Sequence, residues 1–481
     1  MAKQNIKKNY FYNLSYQILL LIIPLITTPY LARILGADGV GTVSYAGSIV
    51  SYFTLFASLG TTIYGQREIS YVQENKGNRS HVFWETKILQ IITSLIVLLF
   101  YIPFALYQKN HIIYLILTFN LLAVLVDVTW FFQGMEEFGK IVFRNLIFKI
   151  INILYIFTFV KTRGDLNIYI FGSSFFLFVS NASLWAYLPW YIEKPLWSEI
   201  KPVRNLKVVI TLFIPTIAIQ IYTVLDKTMI GLITQSAFEN GYYEQAIKIS
   251  KMVLTVVTAL GTVMIPRIGY HFGRGETETI ISLMYRGYRF VWFLGTFLCF
   301  VLIGTAANFV PWFFGFGYDK VITLLGILSF LILSIGISNV TGLQYLIPTN
   351  RQNLLTFTVL IGAAVNFSLN LFLIQSFQSV GAAIASVVAE TVIALAQLWL
   401  VRKEFSIKTV FLSGLNYFIA GGVMLGLLKH IGLQLTPSIT NTFLLFLCGA
   451  VSYCVVLMFL RDSFFMDNVR IVFAQGIKRL K

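Results

Sequence analysis

The sequence has little charge and few cysteines for its length. Of its 481 residues only 12% are charged, about half the share typical of a soluble globular domain. No long hydrophilic segment interrupts the chain, so the sequence leaves no room for a separate soluble catalytic domain. The three cysteines, Cys299, Cys448 and Cys454, lie inside apolar runs without metal-ligand spacing. We therefore expect buried, inert thiols and no metal centre.

What the sequence does contain is a series of apolar runs, each long enough to cross a bilayer at about 17–25 residues. Hydrophobic residues make up 57% of the chain. The pattern predicts an all-α polytopic membrane protein with about fourteen transmembrane helices. The first run lacks a small-residue cleavage site and is longer than a signal peptide, so we expect it to be retained. The predicted spans are 10–32, 40–64, 88–107, 112–133, 143–160, 166–191, 208–233, 243–266, 287–314, 321–346, 353–374, 380–401, 409–428 and 440–460.

The basic residues are distributed unevenly between the predicted loops. If the N-terminus is cytoplasmic, most of the 36 lysines and arginines fall in cytoplasmic loops. The positive-inside rule then predicts that both termini are cytoplasmic. The net charge of +16 is thus explained by membrane topology, and we expect no nucleic-acid partner.

A weak internal repeat relates the two halves of the chain. The tripeptide Leu59-Gly60-Thr61 recurs as Leu260-Gly261-Thr262, and Gln133-Gly134 corresponds to Ile347-Pro348, both pairs being predicted at helix ends. The repeat predicts two six-helix lobes related by a pseudo-two-fold axis along the membrane normal. We assign residues 1–192 to the N-terminal lobe and 193–403 to the C-terminal lobe. Residues 404–481 would hold two extra helices and a basic cytoplasmic tail.

Ionisable residues interrupt the apolar pattern between positions 212 and 267. Asp226, Lys227, Lys248 and Lys251 all lie inside predicted spans, where each charge costs several kcal/mol unless it faces a water-filled cavity or a partner. Lys248 and Lys251 are three residues apart and share one helix face. These lysines predict a cationic cavity that binds an anion. The alternative is mutual neutralisation, within the pair Asp226–Lys227 or between Glu244 and Lys248.

Other charged residues are candidates for the same site. Asp226, Asp127 and Glu390 are carboxylates that could hold a coupling H⁺ or Na⁺, or they could be hydrogen-bonded structural groups. Arginines at span ends could bind the anion or anchor the helices at the interface by snorkelling. These arginines are Arg33, Arg67 and Arg267.

Several stretches of the chain carry a family resemblance. They are the segment from NLSYQILLL to GSIVSYF near the N-terminus, then LGTTIYGQREIS, VDVTWFFQGMEEF, LDKTMIG and NGYYEQAIKI. Together they resemble the Wzx-type polysaccharide repeat-unit flippases of the multidrug/oligosaccharidyl-lipid/polysaccharide exporter superfamily. The resemblance implies flipping of undecaprenyl-diphosphate-linked oligosaccharides across the bacterial cytoplasmic membrane by alternating access, for capsule or other surface polysaccharides. We expect no cofactor other than a coupling H⁺ or Na⁺ on the carboxylates named above. The expected partners are membrane lipids, a polymerase and glycosyltransferases.

Three other functions compete with this one. A multidrug or cation antiporter of the same superfamily would need carboxylates more than cations in its cavity, and the opposite balance holds around residues 226–251. A teichoic-acid-type wall-polymer flippase would differ only in its cargo. A polysaccharide polymerase or ligase would need a sizeable external loop with catalytic groups, which the short predicted loops do not provide.

Overall fold

The structure is a computed structural model that describes residues 6–468, with side chains described from residue 22 onward except at positions 215, 218, 219, 221 and 262. Most of the predicted basic tail lies outside these residues. The chain divides into two compact units, which meet in the sequence between Thr228 and Met229. This division groups residues by contact, and the predicted division at 192 and 403 stays a prediction.

The first unit is built from helices that follow one another with short connections. Two 3₁₀ turns, Arg163–Asp165 and Leu184–Trp190, flank α7. The helices are α1 (Ile6–Ser58), α2 (Thr61–Tyr71), α3 (Lys76–Tyr107), α4 (His111–Val126), α5 (Thr129–Gly134), α6 (Phe138–Phe159), α7 (Leu166–Ser183) and most of α8 (Leu206–Thr234).

The second unit is also helical and contains two π-helical segments, Val291–Gly295 and Asn339–Leu346. No strand occurs among residues 6–468. The helices are α9 (Ala237–Thr258), α10 (Leu260–Gly273), α11 (Thr277–Phe290), α12 (Thr296–Phe314), α13 (Asp319–Leu328), α14 (Leu331–Ser338), α15 (Gln352–Phe377), α16 (Ser379–Leu400), α17 (Ile407–Leu412), α18 (Leu415–Gly432) and α19 (Ile439–Phe459).

The protein is a multi-pass membrane protein, as predicted. Within the described residues, eleven helical segments are long and apolar enough to cross a membrane, or twelve if α9 and α10 form one broken span. Each of the predicted spans overlaps one of the helices or two consecutive ones. The number fourteen stays a prediction, because residues 22–71 count as a single segment by this criterion.

Glycines lie at several breaks between helices. In α1, Gly36 has φ 71° and ψ 173°, so the helix is kinked between the first two predicted spans. Gly60 has φ 73° at the start of α2, and a Cβ there would lie 3.0 Å from the Cβ of Phe213. The repeated tripeptide around Gly261 lies at the junction of α9 and α10. Both copies of the repeat therefore occur at helix breaks.

Ion pairs fix helix ends in the second unit. Glu239, which is buried near the start of α9, binds Lys320 Nζ through both carboxylate oxygens at 2.7 Å. It also accepts hydrogen bonds from Ser379 N at 3.1 Å and Ser379 Oγ at 2.6 Å. Lys320 donates a third bond to Gln378 Oε1 at 2.9 Å. The ends of α9, α13 and the α15–α16 turn are thereby joined.

A second ion pair lies in the connection after α16. Arg351 binds Glu404 through two hydrogen bonds of 2.7 and 3.0 Å, and Tyr345 Oη donates to the same carboxylate. Partial burial would raise the pKa of Glu404, but these hydrogen bonds outweigh it and hold the pKa below its usual value. Glu404 is therefore ionised at neutral pH and keeps the start of α15 attached to the end of α16.

Candidate functional site

The helix that carries Asp127 is broken at this residue. Helix α4 ends at Val126 and α5 begins at Thr129. The Asp127 carboxylate stabilises the restart, because its Oδ1 accepts hydrogen bonds from Thr129 N at 2.9 Å and Thr129 Oγ1 at 2.5 Å. The break also leaves backbone carbonyls of α4 without their helical partners, and in a membrane such groups need other donors.

Side chains from three neighbouring segments bind these carbonyls. All five consecutive carbonyls from Ala123 to Asp127 accept a side-chain hydrogen bond, so none of them is left without a donor at the break. The donors are Asn181 Nδ2 to Ala123 O at 3.0 Å, Gln90 Nε2 to Val124 O at 2.9 Å, Lys87 Nζ to Leu125 O at 2.7 Å and to Asp127 O at 2.8 Å, and Trp185 Nε1 to Val126 O at 2.6 Å.

Lys87 is a buried cation that the sequence analysis assigned wrongly to a loop. Its side chain is fully buried, and Nζ donates a third hydrogen bond to Gln90 Oε1 at 3.1 Å. Helix α3 begins well before the predicted span, because Asn75 caps it by accepting a bond from Asn78 N at 2.9 Å. A signal for burial was present in the sequence, since Lys87 and Gln90 are three residues apart on one helix face.

Arg144 is a second buried cation, and it lies at the start of the predicted span 143–160. It lies in α6, which begins before the predicted boundary at residue 143. One terminal nitrogen donates to Ser180 O at 3.2 Å and Asn181 Oδ1 at 3.1 Å. The other donates to Asn145 Oδ1 at 2.7 Å and Thr129 Oγ1 at 3.5 Å. Arg144 therefore joins α6 and α7 to the start of α5.

The segment VDVTWFFQG, which carried part of the family resemblance, builds this break. Trp130, Phe131 and Phe132 are fully buried in an aromatic cluster behind it. Gly134 allows α5 to approach α2, because a Cβ at this position would lie 2.7 Å from Gln66 O. The motif thus has a structural role, and Asp127 is its one ionisable residue.

A half-open cavity of about 260 Å³ lies beside the break. Ser51 and Thr54 form part of its wall, and their hydroxyls donate to Ser48 O at 2.6 Å and Ser51 O at 3.0 Å. Their oxygens therefore face other groups mainly as acceptors. The complete lining is Gly47, Val50, Ser51, Thr54, Asn120, Ala123, Val124, Asp127, Leu177 and Asn181.

The other predicted site residues of the first unit occupy different positions. Arg33 is exposed in α1. Arg67 pairs with the adjacent Glu68 at 2.7 Å, which compensates its charge and favours an anchoring role. Asp226 and Lys227 are half-buried near the end of the unit, where Asp226 is close enough to the Tyr52 hydroxyl to act on it electrostatically.

The remaining predicted residues belong to the second unit. Lys248 is half-buried and Lys251 exposed, and both lie on α9, as their spacing predicts. Arg267 is exposed on α10, and Glu390 is half-buried on α16. Their assignment to an anion site or an ion-coupling site stays a prediction.

Comparison with known proteins relates almost the whole chain to transporters. The sequence is 24% identical to the "Putative O-antigen transporter" of Escherichia coli (strain K12) over 408 residues, which is 84% of this chain and 98% of that protein. A protein of the same name from Shigella dysenteriae is 21% identical over 394 residues, 79% of this chain and 96% of that protein.

Solved structures show the same fold. The inward closed conformation of lipid II flippase MurJ has a TM-score of 0.71 at 16% identity, covering 94% of this chain and 99% of that one. An inward-facing multidrug resistance MATE family transporter of the MOP superfamily has a TM-score of 0.60 at 11% identity, covering 85% of this chain and 95% of that one. The chain therefore has the same fold as these two transporters. The family described as "Polysaccharide biosynthesis protein" matches residues 6–271, and the chain belongs to this family.

Proposed function

We propose that the protein flips undecaprenyl-diphosphate-linked oligosaccharide repeat units across the bacterial cytoplasmic membrane by alternating access. The observation that carries this proposal is the family match over residues 6–271, extended by the similarity to the "Putative O-antigen transporter" of Escherichia coli over 84% of this chain. In this function the protein is a transporter and no enzyme. Glycosyltransferases would supply its cargo, and a polymerase would consume it to make a surface polysaccharide.

The charge of the cargo supports a role for the predicted cations. A diphosphate needs cationic partners when it leaves bulk water. Lys248 and Lys251 on α9 and Lys227 on α8 are the primary ligands in this proposal. Arg33 and Arg267, which are exposed, would receive or release the headgroup, whereas Arg67 is already paired with Glu68.

A flipping assay tests the function directly. Proteoliposomes that contain the protein should translocate undecaprenyl-diphosphate-linked saccharides, and liposomes without it should not. The alternative, a multidrug antiporter, predicts that expression raises the resistance of a sensitive strain to ethidium or norfloxacin. Drug resistance without saccharide translocation would show that the protein is a multidrug antiporter and not a flippase.

The proposed orientation has both termini in the cytoplasm. The motivating observation is the excess of basic residues in alternate connections. Reporter fusions after Lys76, Lys201, Arg274 and Arg402 should place the reporter in the cytoplasm. Fusions after Lys109, Lys320 and Lys429 should place it outside. Finding the Lys201 and Arg274 fusions on opposite sides would exclude the fourteen-span arrangement, because the two positions should be separated by an even number of spans.

We also propose that a proton or Na⁺ assists the return of the empty carrier. Outward movement of a diphosphate down an inside-negative potential is favourable by about 2.3 kcal/mol per charge per 100 mV. After release, however, the empty cavity holds its cations without their counter-anion, which is costly in a low-dielectric environment. Asp226 is the preferred coupling residue because its ionisation would offset the adjacent Lys227, and Asp127 and Glu390 are secondary candidates.

In proteoliposomes, Asp226→Asn should slow turnover several-fold and flatten its pH and Na⁺ dependence, while the affinity for the lipid-linked oligosaccharide is unchanged. Asp319→Asn, an exposed carboxylate in the first turn of α13, is the matched control. If Asp226→Asn transports like the control at every pH and Na⁺ concentration, Asp226 is only a structural partner of Lys227.

A further inference from the structure

The cavity beside the α4–α5 break carries polar groups that the diphosphate would not use. Its one ionisable residue is the carboxylate of Asp127, which would repel a phosphate. The hydroxyl hydrogens of Ser51 and Thr54 are already donated to backbone carbonyls. The lining therefore offers mainly hydrogen-bond acceptors, with the Asn120 amide providing both kinds of group. It is suited to a ligand that carries several hydrogen-bond donors.

The charges around the cavity disfavour a cation as this ligand. Lys87 Nζ binds the backbone oxygen of Asp127 at 2.8 Å and interacts electrostatically with its carboxylate. Arg144 reaches the same carboxylate through Thr129, whose hydroxyl it binds at 3.5 Å and which donates to Asp127 Oδ1. Two buried basic side chains thus accompany one carboxylate. A further positive charge would be repelled, whereas a neutral hydroxyl would still gain a charge-assisted hydrogen bond.

The size of the cavity indicates a small organic group. At about 260 Å³ it is several times larger than the roughly 30 Å³ of one water molecule. It approaches the lower end of small-molecule pockets, at about 300 Å³. A single sugar ring with its hydroxyls fits both this volume and the surplus of acceptors.

We propose that this cavity binds one neutral sugar residue of the cargo, with the Asp127 carboxylate and the oxygens of Ser51 and Thr54 accepting hydrogen bonds from its hydroxyls. The inference rests on the proposed flippase function and adds to it a glycan subsite in the first unit. Asp127 then acts in cargo recognition, and ion coupling is left to other carboxylates. The subsite separates recognition of the glycan from recognition of the diphosphate.

The decisive variants change the acceptors without disturbing the break. Asp127→Asn keeps an Oδ1 that can accept the hydrogen bond from Thr129 N. The substitution therefore removes only the other carboxylate oxygen as an acceptor. Thr54→Val is isosteric and removes one hydroxyl from the cavity wall. Thr118→Val is the matched control, because Thr118 lies on α4 outside the cavity lining.

The test measures binding of defined lipids to the full-length protein in nanodiscs. The probes are undecaprenyl diphosphate alone and undecaprenyl diphosphate carrying glucose, galactose, N-acetylglucosamine or N-acetylgalactosamine. The wild-type protein should bind at least one glycolipid more tightly than the bare lipid. Asp127→Asn should weaken that glycolipid about tenfold, as expected for the loss of one charge-assisted hydrogen bond, and Thr54→Val should weaken it less. Both variants should leave the affinity for undecaprenyl diphosphate alone unchanged. Thr118→Val should change neither this affinity nor the affinity for the glycolipid.

The outcomes separate the two proposals. If the wild-type protein binds none of the five lipids, the flippase function itself fails. If it binds the bare lipid and no glycolipid more tightly, or if Asp127→Asn weakens all lipids equally, the sugar subsite is wrong and the flippase function stands. Glycolipid binding that becomes insensitive to Na⁺ in Asp127→Asn, with unchanged affinity, would identify a cation site instead.

Discussion

Replacing both Lys248 and Lys251 with alanine is expected to abolish polysaccharide export while the protein still inserts into the membrane. Both lysines lie on α9 at a spacing of three residues, so they can approach one anionic group together. At a separation of 4 Å and an effective dielectric constant of 20, each lysine–phosphate pair contributes about 4 kcal/mol. Transport in proteoliposomes should therefore fall by more than about a hundredfold, and each single variant should show an intermediate loss.

Two further variants show whether charge is the cause. Lysine-to-arginine changes at both positions preserve the charge and should restore part of the transport. Lys109→Ala, which removes an exposed lysine from the connection between α3 and α4, should transport at the wild-type rate. Wild-type export by the double alanine variant would exclude these lysines from the mechanism.

Lys87→Met is expected to destabilise the first unit more than any change of an exposed lysine. Methionine is close to lysine in length but cannot donate a hydrogen bond. The carbonyls of Leu125 and Asp127, which accept bonds of 2.7 and 2.8 Å, would lose these donors inside the membrane. Each stranded acceptor costs roughly 1–3 kcal/mol, so the combined loss is about 2–6 kcal/mol. The measurement is the thermal unfolding midpoint of the purified protein, which should fall by several degrees.

A control on the same helix distinguishes this effect from a general loss of charge. Lys76 is exposed in the first turn of α3, so Lys76→Met should unfold at the wild-type temperature. An equal unfolding midpoint for both variants would mean that Lys87 does not stabilise the break.

Hydropathy predicts the helices of this chain well because a lipid environment demands long apolar segments. The helix starts are less accurate, since polar residues such as Lys76 and Arg79 can occupy the first turns of a helix whose apolar part begins later. Arg79 is buried there and donates to Tyr191 O at 3.0 Å. A rule that counts each basic residue near a span end as a loop residue therefore misses buried cations that bind backbone carbonyls.

The sequence identified the carboxylate of the polar centre but not its surroundings. Asp127 is recognisable in the sequence because it is a single charge in an apolar run. Its neighbours Gln90, Arg144 and Asn181 come from three other helices, and no spacing within one segment relates them. The break itself was also unforeseen, because VDVT contains neither glycine nor proline. Only the tertiary structure shows that five carbonyls depend on these side chains.

The side-chain hydrogen bonds to the five carbonyls make the bend at Asp127 rigid. Straightening the chain at Asp127 would leave the side-chain donors of Lys87, Gln90 and Trp185 without their acceptors. Changing the bend at this point is therefore energetically costly. We therefore expect helices α3, α4 and α7, which these hydrogen bonds join, to move as one block during transport. In an alternating-access cycle such a block changes its tilt while the walls of its cavity keep their spacing. The cargo would then meet the same rigid contacts at the beginning and the end of its passage.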